Sequence, residues 1–224
     1  MSLRFLRSTE LPPHASGGFD HACVHRASGR LFVAHTANDA VDLIDCNFDL
    51  YLYSIPDLRG AAGVWVAQET DEVFVSNRNE NKIGFFRVFD RTAEKMVVGR
   101  RPNGLAWDPR RQTLWVGCVG HPTEMRDMEI TVVDLAQSRV VGRIELAGRP
   151  RWMVYDALTD SAYVNIVEPS QILVVEGSSP LKVARAISVP AAGPHGLEID
   201  TASGRLFAPA MRACWSCWIP GAER

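Results

Sequence analysis

The stretch GFDHACVHRASGRLFVAHT, residues 18–36, places a polar turn between two short apolar segments. The turn RASGRL contains Ser, Gly and Arg, which favours a hairpin between two strands. The same shape recurs in segments that begin AAGVWV, RPNGLAW, GRPRWMV and GPHGLEI. In every copy the second apolar segment carries an aromatic residue at the same place, namely Phe32, Phe74, Trp115, Tyr163 and Phe207. The chain is therefore built from a repeat of roughly 40–50 residues.

Each of the first four copies continues with two more apolar segments, as in AVDLID and LYLYSIP of the first copy. Helical periodicity is nearly absent, which favours strands throughout. Four-stranded units of this length are typical of β-propeller blades, because one such sheet cannot bury both of its faces alone. The sequence predicts an all-β, incomplete propeller that forms a single domain over residues 1–224. Its antiparallel blades are expected at about 18–60, 61–100, 101–149 and 150–193, with a partial fifth at 194–208.

The composition excludes several functional classes. The formal net charge of −2 gives no positive field for nucleic acid or for an anionic membrane. No apolar run approaches the ~20 residues of a membrane-spanning helix, and the N-terminus lacks the apolar region of a signal peptide. The odd number of cysteines, five, favours free thiols in a reducing compartment. We therefore expect a cytoplasmic protein without nucleic-acid or membrane partners.

The last segment, APAMRACWSCWIPGAER at 208–224, breaks the repeat where a polar loop and a third strand are expected. Reverse translation in a reading frame shifted by one nucleotide restores a segment similar to DAVDLID. We therefore predict a frameshift near residue 208, a non-native tail over 209–224, and an open ring that can associate through unpaired blade edges. The C-x-x-C spacing of Cys214 and Cys217 lacks the context of a redox pair or a zinc site. The segment LRFLRST, at 3–9, is expected to be a strand whose partner is missing.

Polar side chains are expected to gather at one mouth of the central channel. Alignment of the repeats places four of them at equivalent positions around the axis, namely Asp20, Asn103, Arg151 and His195. Three others lie beside this position or after second strands, namely His21, His35 and Asn77. A polar ring in a concave mouth predicts a binding site for a small molecule or a protein partner. The alternative is that residues in the PNG and PHG turns, such as Asn103 and His195, only hydrogen-bond the backbone.

The phrases RPNGLAWDP, RLFVAHTANDAVDLID and GPHGLEID resemble the YVTN and NHL-type propellers, the loose group that includes the gluconolactonase and regucalcin family. The resemblance covers the chain to about residue 208 and implies three functions. The first, which we favour, is a non-enzymatic propeller that binds a ligand or partner. The second is a lactonase-like hydrolase that uses one Ca²⁺ or Mg²⁺ ion, for which Asn103 matches a metal ligand although the expected Glu is missing. The third is a lyase similar to streptogramin-ring openers, with His195 or His35 as general base.

Overall fold

The computed structural model describes residues 4–5, 7–178 and 181–210, together with the backbone of 217–219. This part of the chain is nearly all-β, with four four-stranded antiparallel sheets and a fifth sheet of three strands. In each four-stranded sheet the strands follow one another in chain order, so the chain runs back and forth across each unit. The predicted architecture of four blades and part of a fifth is therefore confirmed.

The four complete sheets are called blades 1 to 4, and within each the first strand lies innermost. Blade 1 contains β1 Ala22–His25, β2 Arg30–His35, β3 Ala40–Asp45 and β4 Leu50–Ile55, with a 3-10 turn at Thr36–Asn38. Blade 2 contains β5 Ala61–Ala67, β6 Glu72–Asn77, β7 Lys82–Arg87 and β8 Glu94–Val97. Blade 3 contains β9 Pro102–Asp108, β10 Thr113–Cys118, β11 Glu129–Asp134 and β12 Arg139–Glu145. Blade 4 contains β13 Pro150–Asp156, β14 Ser161–Ile166, β15 Gln171–Glu176 and β16 Lys182–Ser188. The fifth sheet contains β17 Glu198–Asp200, β18 Arg205–Ala208 and β19 Cys217–Ile219.

The first hairpin of every unit is closed by the same backbone conformation. The residue immediately before each second strand has a positive φ, and these residues are Gly29, Asp71, Gln112, Asp160 and Gly204. Glycine adopts this left-handed conformation without steric cost, and Asp tolerates it better than most residues do. The polar turns recognised in the sequence are therefore placed by a backbone requirement that recurs in each repeat.

The repeated aromatic residue forms the core between successive blades. Phe32, Phe74, Trp115 and Tyr163 are at most 2% exposed, whereas Phe207 of the fifth sheet is 37% exposed. Within the described residues no strand pairing joins the fifth sheet to blade 1, so the ring is not closed by a ladder. Because a propeller blade buries its faces against two neighbours, the fifth aromatic residue lacks the cover that the first four have.

The segments at the two ends of the chain differ from what the sequence predicted. Residues 7–21 form no strand but run along blade 1, where the hydroxyl of Thr9 donates to the carbonyl of Asp49 at 3.1 Å. The predicted N-terminal strand is therefore wrong for the described residues. At the other end, the backbone of β19 pairs with β18, while 211–216 and 220–224 lie outside the described residues, as do the side chains of the C-x-x-C motif. No helix in the described part of the chain is long and apolar enough to cross a membrane.

Candidate functional site

The inner strands of blades 2, 3 and 4 share a shift in their pairing register near the start of the strand. At each shift the inner strand advances by three residues while the second strand advances by two. The shifts lie between Ala61 and Val64, between Pro102 and Leu105, and between Pro150 and Met153. Such a β-bulge adds one residue and redirects its side chain. In each unit one inner-strand residue pairs with the repeated aromatic residue, and we compared the residues that lie three positions before that partner. These equivalent residues are Asp20, Ala62, Asn103, Arg151 and His195. Four of these are the residues that the repeat alignment predicted to be equivalent.

The next position along each inner strand controls how closely the blades approach. In blades 2 and 3 it is glycine, and a Cβ atom on Gly104 would lie 2.1 Å from the carbonyl oxygen of Arg151. A Cβ atom on Gly63 would likewise lie 2.2 Å from the carbonyl oxygen of Asn103. Neighbouring inner strands therefore meet backbone to backbone, which brings Asn103 and Arg151 to the same place on the axis.

Two aromatic rings take the place of that glycine in the other complete blades. His21 of blade 1 and Trp152 of blade 4 stack with their centroids 3.8 Å apart and their planes 7° from parallel. The ring of His195 lies parallel to that of His21, with centroids 5.8 Å apart. Blades 1 and 4 thus contribute aromatic rings, which stack on each other, at the position where blades 2 and 3 have glycine.

Polar side chains lie in and beside this stack, and we call them the mouth cluster: Asp20, His21, Arg78, Asn103, Arg151 and His195. One carboxylate oxygen of Asp20 lies 2.6 Å from Nδ1 of His21, and the other accepts a hydrogen bond from Arg78 at 3.0 Å. Arg78 also donates to the side-chain oxygen of Asn103. Blade 2 has only Ala62 at the equivalent position, so Arg78 supplies the polar group of that blade from the loop after β6. In the sequence Arg78 is one of several polar residues in NRNEN, and nothing there distinguished it from its neighbours.

Two predicted residues are not brought into the mouth cluster. His35 is fully buried in blade 1, where its Nδ1 lies 2.7 Å from the carboxylate of Asp42. The side chain of Asn77 donates to Glu80 at 2.9 Å within its own loop. Its neighbour Ser76 donates to the carbonyl of Asn103, and successive strand residues point to opposite faces. Within the described residues neither side chain is bonded to a member of the mouth cluster: His35 contacts Asp42 and His14, and Asn77 contacts Glu80.

Positive charge dominates the mouth cluster and its surroundings. Burial lowers the pKa of Arg151, and the nearby Arg78, Arg149 and Arg101 lower it further. Burial and the neighbouring Arg151 likewise lower the pKa of His195, which favours its neutral form.

The carboxylate of Asp20 is the counterpart of these cations. Burial acts to raise the pKa of the Asp20 carboxyl, but contact with His21 and Arg78 outweighs it and lowers that pKa. Asp20 therefore stays ionised and offsets only part of the surrounding positive charge.

Several buried donors of the region have no partner within the described residues. They are Nε of Arg101, Nε of Arg151 and Nδ2 of Asn103. All three atoms are hydrogen-bond donors, and each is closed off from solvent. An unpaired buried donor costs about 1–3 kcal/mol.

The same donors do not suit a divalent cation. The oxygen of Asn103 already accepts from Arg78, and a Ca²⁺ or Mg²⁺ ion requires several oxygen ligands. Among the described residues no group of three or more His, Cys, Asp and Glu side chains is placed to hold a metal ion. The residues present therefore do not fit the metal site for which Asn103 was the candidate ligand.

Comparison with known proteins supports the fold. No family model matches the chain, and no curated protein is significantly similar in sequence. Among solved structures, Kuenenia stuttgartiensis hydrazine synthase matches with a TM-score of 0.73 and 15% identity, over 84% of this chain and 60% of that one. A chain of a mitotic checkpoint complex matches with a TM-score of 0.70 and 11% identity, over 81% of this chain and 58% of that one. Both neighbours are β-propellers, so the chain is similar to about three fifths of a longer propeller.

Proposed function

We propose that this chain is a non-enzymatic propeller module that binds a small anionic molecule at the mouth cluster. The observation that carries the proposal is the excess of positive charge on the partly buried Arg78 and Arg151, with Arg101 beside them, over the carboxylate of Asp20. A carboxylate or phosphate oxygen would accept hydrogen bonds from these guanidinium groups and would offset their charge. Arginine suits this task because its guanidinium presents several donors in one plane and matches oxyanions geometrically.

The environment strengthens such an interaction. The guanidinium groups of Arg78 and Arg151 are partly buried, and charge-assisted hydrogen bonds are stronger where water is excluded. The stack of His21 on Trp152 adds a rigid apolar surface beside the charges. A few directed polar groups next to an aromatic wall are the usual composition of a small-molecule site.

The other candidate functions are less well supported by this geometry. A lactonase-like hydrolase would require a divalent cation, which the donors of the mouth cluster do not fit. A lyase with His35 as general base would need that imidazole at the ligand, but His35 is fully buried against Asp42. His195 does lie in the cluster and stays available as a base. A protein partner is the remaining alternative, because one structural neighbour belongs to a checkpoint complex and an acidic side chain presents the same carboxylate.

Calorimetric titration with sulfate tests the proposal, because sulfate keeps its charge across the working pH range. We expect Arg151→Met to weaken sulfate binding at least tenfold, about 1.4 kcal/mol. The matched control is Arg185→Met, which removes an exposed arginine on the outer strand β16 and should leave the affinity unchanged. Equal affinities for the two variants, or no sulfate binding by the unaltered chain, would refute an anion site at the mouth cluster. A parallel titration with Ca²⁺ and Mg²⁺ tests the metal alternative, and binding that Asn103→Ala abolished would restore it.

A further inference from the structure

A second cavity lies at the end of the inner strands that is opposite the mouth cluster, and we call it the base pocket. It is formed where β5, β9 and β13 end, and its volume is about 390 Å³. Along β9, Trp107 at the base pocket follows Asn103 of the mouth cluster by four residues, which corresponds to roughly 13 Å at the usual rise of a strand. The side chains that characterise its lining are Trp65, Glu69, Trp107, Tyr155, Asp156 and Leu158.

Three of these lining residues are aromatic, and their rings are held from behind. The indole of Trp107 stacks on Phe74 with centroids 5.1 Å apart and planes 28° from parallel. The ring of Tyr155 packs on Trp115 at 5.6 Å between centroids. The third ring, Trp65, packs against the buried clusters on both sides of it. Because these rings are already in place, a ligand that packs on them loses little free energy in ordering the site.

The charged groups of the described lining are all acidic. They are Glu69 and Asp156, and no Lys, Arg or His belongs to that lining. Both oxygens of Asp156 accept hydrogen bonds within its own turn, from the amide of Leu158 at 2.9 Å and from the hydroxyl of Thr159 at 2.8 Å. Asp156 therefore supplies negative charge to the pocket, and a direct contact with a ligand must come from Glu69.

Glu69 is held beside an aromatic ring. Its Oε1 accepts from the indole Nε1 of Trp107 at 2.5 Å, while its Oε2 has no hydrogen-bond partner within the described residues. The preceding residue, Gln68, is bonded to the amide of Arg26 at 2.9 Å, which ties this turn to blade 1. Arg26 is itself exposed and does not belong to the lining. One carboxylate oxygen therefore stays available next to the indole.

Arginines beside the base pocket are balanced by other carboxylates. Arg111 donates to the hydroxyl of Tyr155 at 3.0 Å, but it also pairs with Asp108 at 2.8 Å and with Asp160 at 2.7 Å. Arg110 lies 3.8 Å from the same Asp160. Two arginines thus face two carboxylates, so this network leaves the negative charge of the lining uncompensated.

We propose that the base pocket binds a small organic cation, namely an ammonium group that carries alkyl substituents. Such a cation is attracted to the faces of aromatic rings, most strongly to tryptophan, and the carboxylate of Glu69 adds a direct ionic contact. Its alkyl groups pack on Trp65, Trp107 and Tyr155 as any apolar group would. A metal ion does not suit the pocket, because among the described residues no three His, Cys, Asp or Glu side chains are placed to hold one. This second site goes beyond the proposed anion site and does not depend on it.

Titration with choline tests the site when it is followed by the NMR signals of the indole Nε1 protons of Trp65 and Trp107. The comparison ligand is dimethylbutanol, the neutral analogue in which a carbon atom replaces the charged nitrogen of choline. We expect choline to shift both signals and to bind about tenfold more tightly than the analogue, because only the cation is attracted by the rings and the carboxylate. Equal affinities for the two molecules, or no shift with choline, would overturn the proposal.

Two substitutions locate the charge effect. Glu69→Gln keeps an acceptor for Nε1 of Trp107 but removes the charge, so choline should bind about fivefold more weakly while dimethylbutanol binds as before. Its control is Glu94→Gln, which removes an exposed carboxylate on β8. Leu158→Lys should also weaken choline binding about fivefold, because it places a cation at the rim of the pocket.

Leu50→Lys is the control for Leu158→Lys, since both leucines are largely exposed, at 57% and 67%, and Leu50 lies on the outer strand β4. Neither control should change the affinity for choline. If Glu69→Gln and Leu158→Lys bind choline as tightly as the unaltered chain, choline binds elsewhere and the proposal is wrong. Sulfate titration of Glu69→Gln should give the affinity of the unaltered chain, so either site can fail without the other.

Discussion

Replacement of Gly104 by alanine should separate blades 3 and 4 at the axis. A Cβ atom at this position would lie 2.1 Å from the carbonyl oxygen of Arg151 and 3.1 Å from the Cα atom of Trp152. Both obstacles are backbone atoms of another blade, so no side-chain rotation relieves the contact. The inner strands must move apart by roughly 1 Å, an overpacking that typically costs about 1–3 kcal/mol.

Gly117→Ala is a matched control in the same blade. Gly117 is also buried, but its Cβ atom would meet Pro150 at 3.4 Å and Met153 at 3.5 Å, which is ordinary van der Waals contact. We expect Gly104→Ala to lower the midpoint of thermal unfolding by about 2–12 °C, since each kcal/mol shifts it by about 2–4 °C in a domain of this size. The Gly117→Ala midpoint should move by much less.

The same substitution links stability to the site. When Gly104 gains a side chain, Asn103 and Arg151 are displaced relative to each other, so sulfate affinity should fall together with the unfolding midpoint. Differential scanning calorimetry and sulfate titration measure the two effects. Equal unfolding midpoints for Gly104→Ala and Gly117→Ala would refute the argument that backbone contact at the axis requires glycine.

Three other predictions follow from the ionisable groups. Burial and Arg151 lower the pKa of His195, so this histidine binds a proton more readily in the unfolded chain than in the folded one. The free energy of unfolding should therefore fall as pH drops below about 6.5. Urea unfolding of His195→Gln should show a smaller decrease in that free energy over the same pH range. The hydrogen bond from Arg111 lowers the pKa of Asp160 to about 2, so this pair stabilises the fold above the ordinary carboxyl pKa and loses that effect as pH falls towards 2. Arg111→Gln should raise the pKa of Asp160, measured by NMR titration, and cost about 0.5–1 kcal/mol at neutral pH. Burial raises the pKa of Cys118 to about 12, so iodoacetamide should alkylate the exposed Cys46 and leave Cys118 unmodified until denaturant is added.

The repeat itself was sufficient to predict the architecture. Strand pairing within a blade joins segments only a few residues apart, and the alternation of apolar residues and turn residues encodes it locally. The fixed position of the aromatic residue identified the second strand of every blade, and the structure buries four of the five. The equivalence of Asn103 and Arg151 also followed from the repeat, because equal spacing along the chain becomes equal position around the axis.

The contents of the mouth cluster depended on contacts between blades. Arg78 reaches the cluster from the loop after β6, where the equivalent inner-strand residue of its blade is the apolar Ala62. The repeat pattern does not indicate that a loop residue supplies the polar group of this blade. His35 was expected at the mouth, but His14 and Phe19 pack against it and Asp42 holds it within blade 1.

By itself the sequence determined the blades, their turns and the ring of equivalent positions, because these are properties of local segments repeated along the chain. Only the tertiary structure decided which side chains of that ring touch one another. The bulge at Asn103 and the bare backbone of Gly104 bring together strands that lie more than 40 residues apart. Contacts of that kind depend on how rigid sheets pack around an axis, and no pattern within one repeat specifies them.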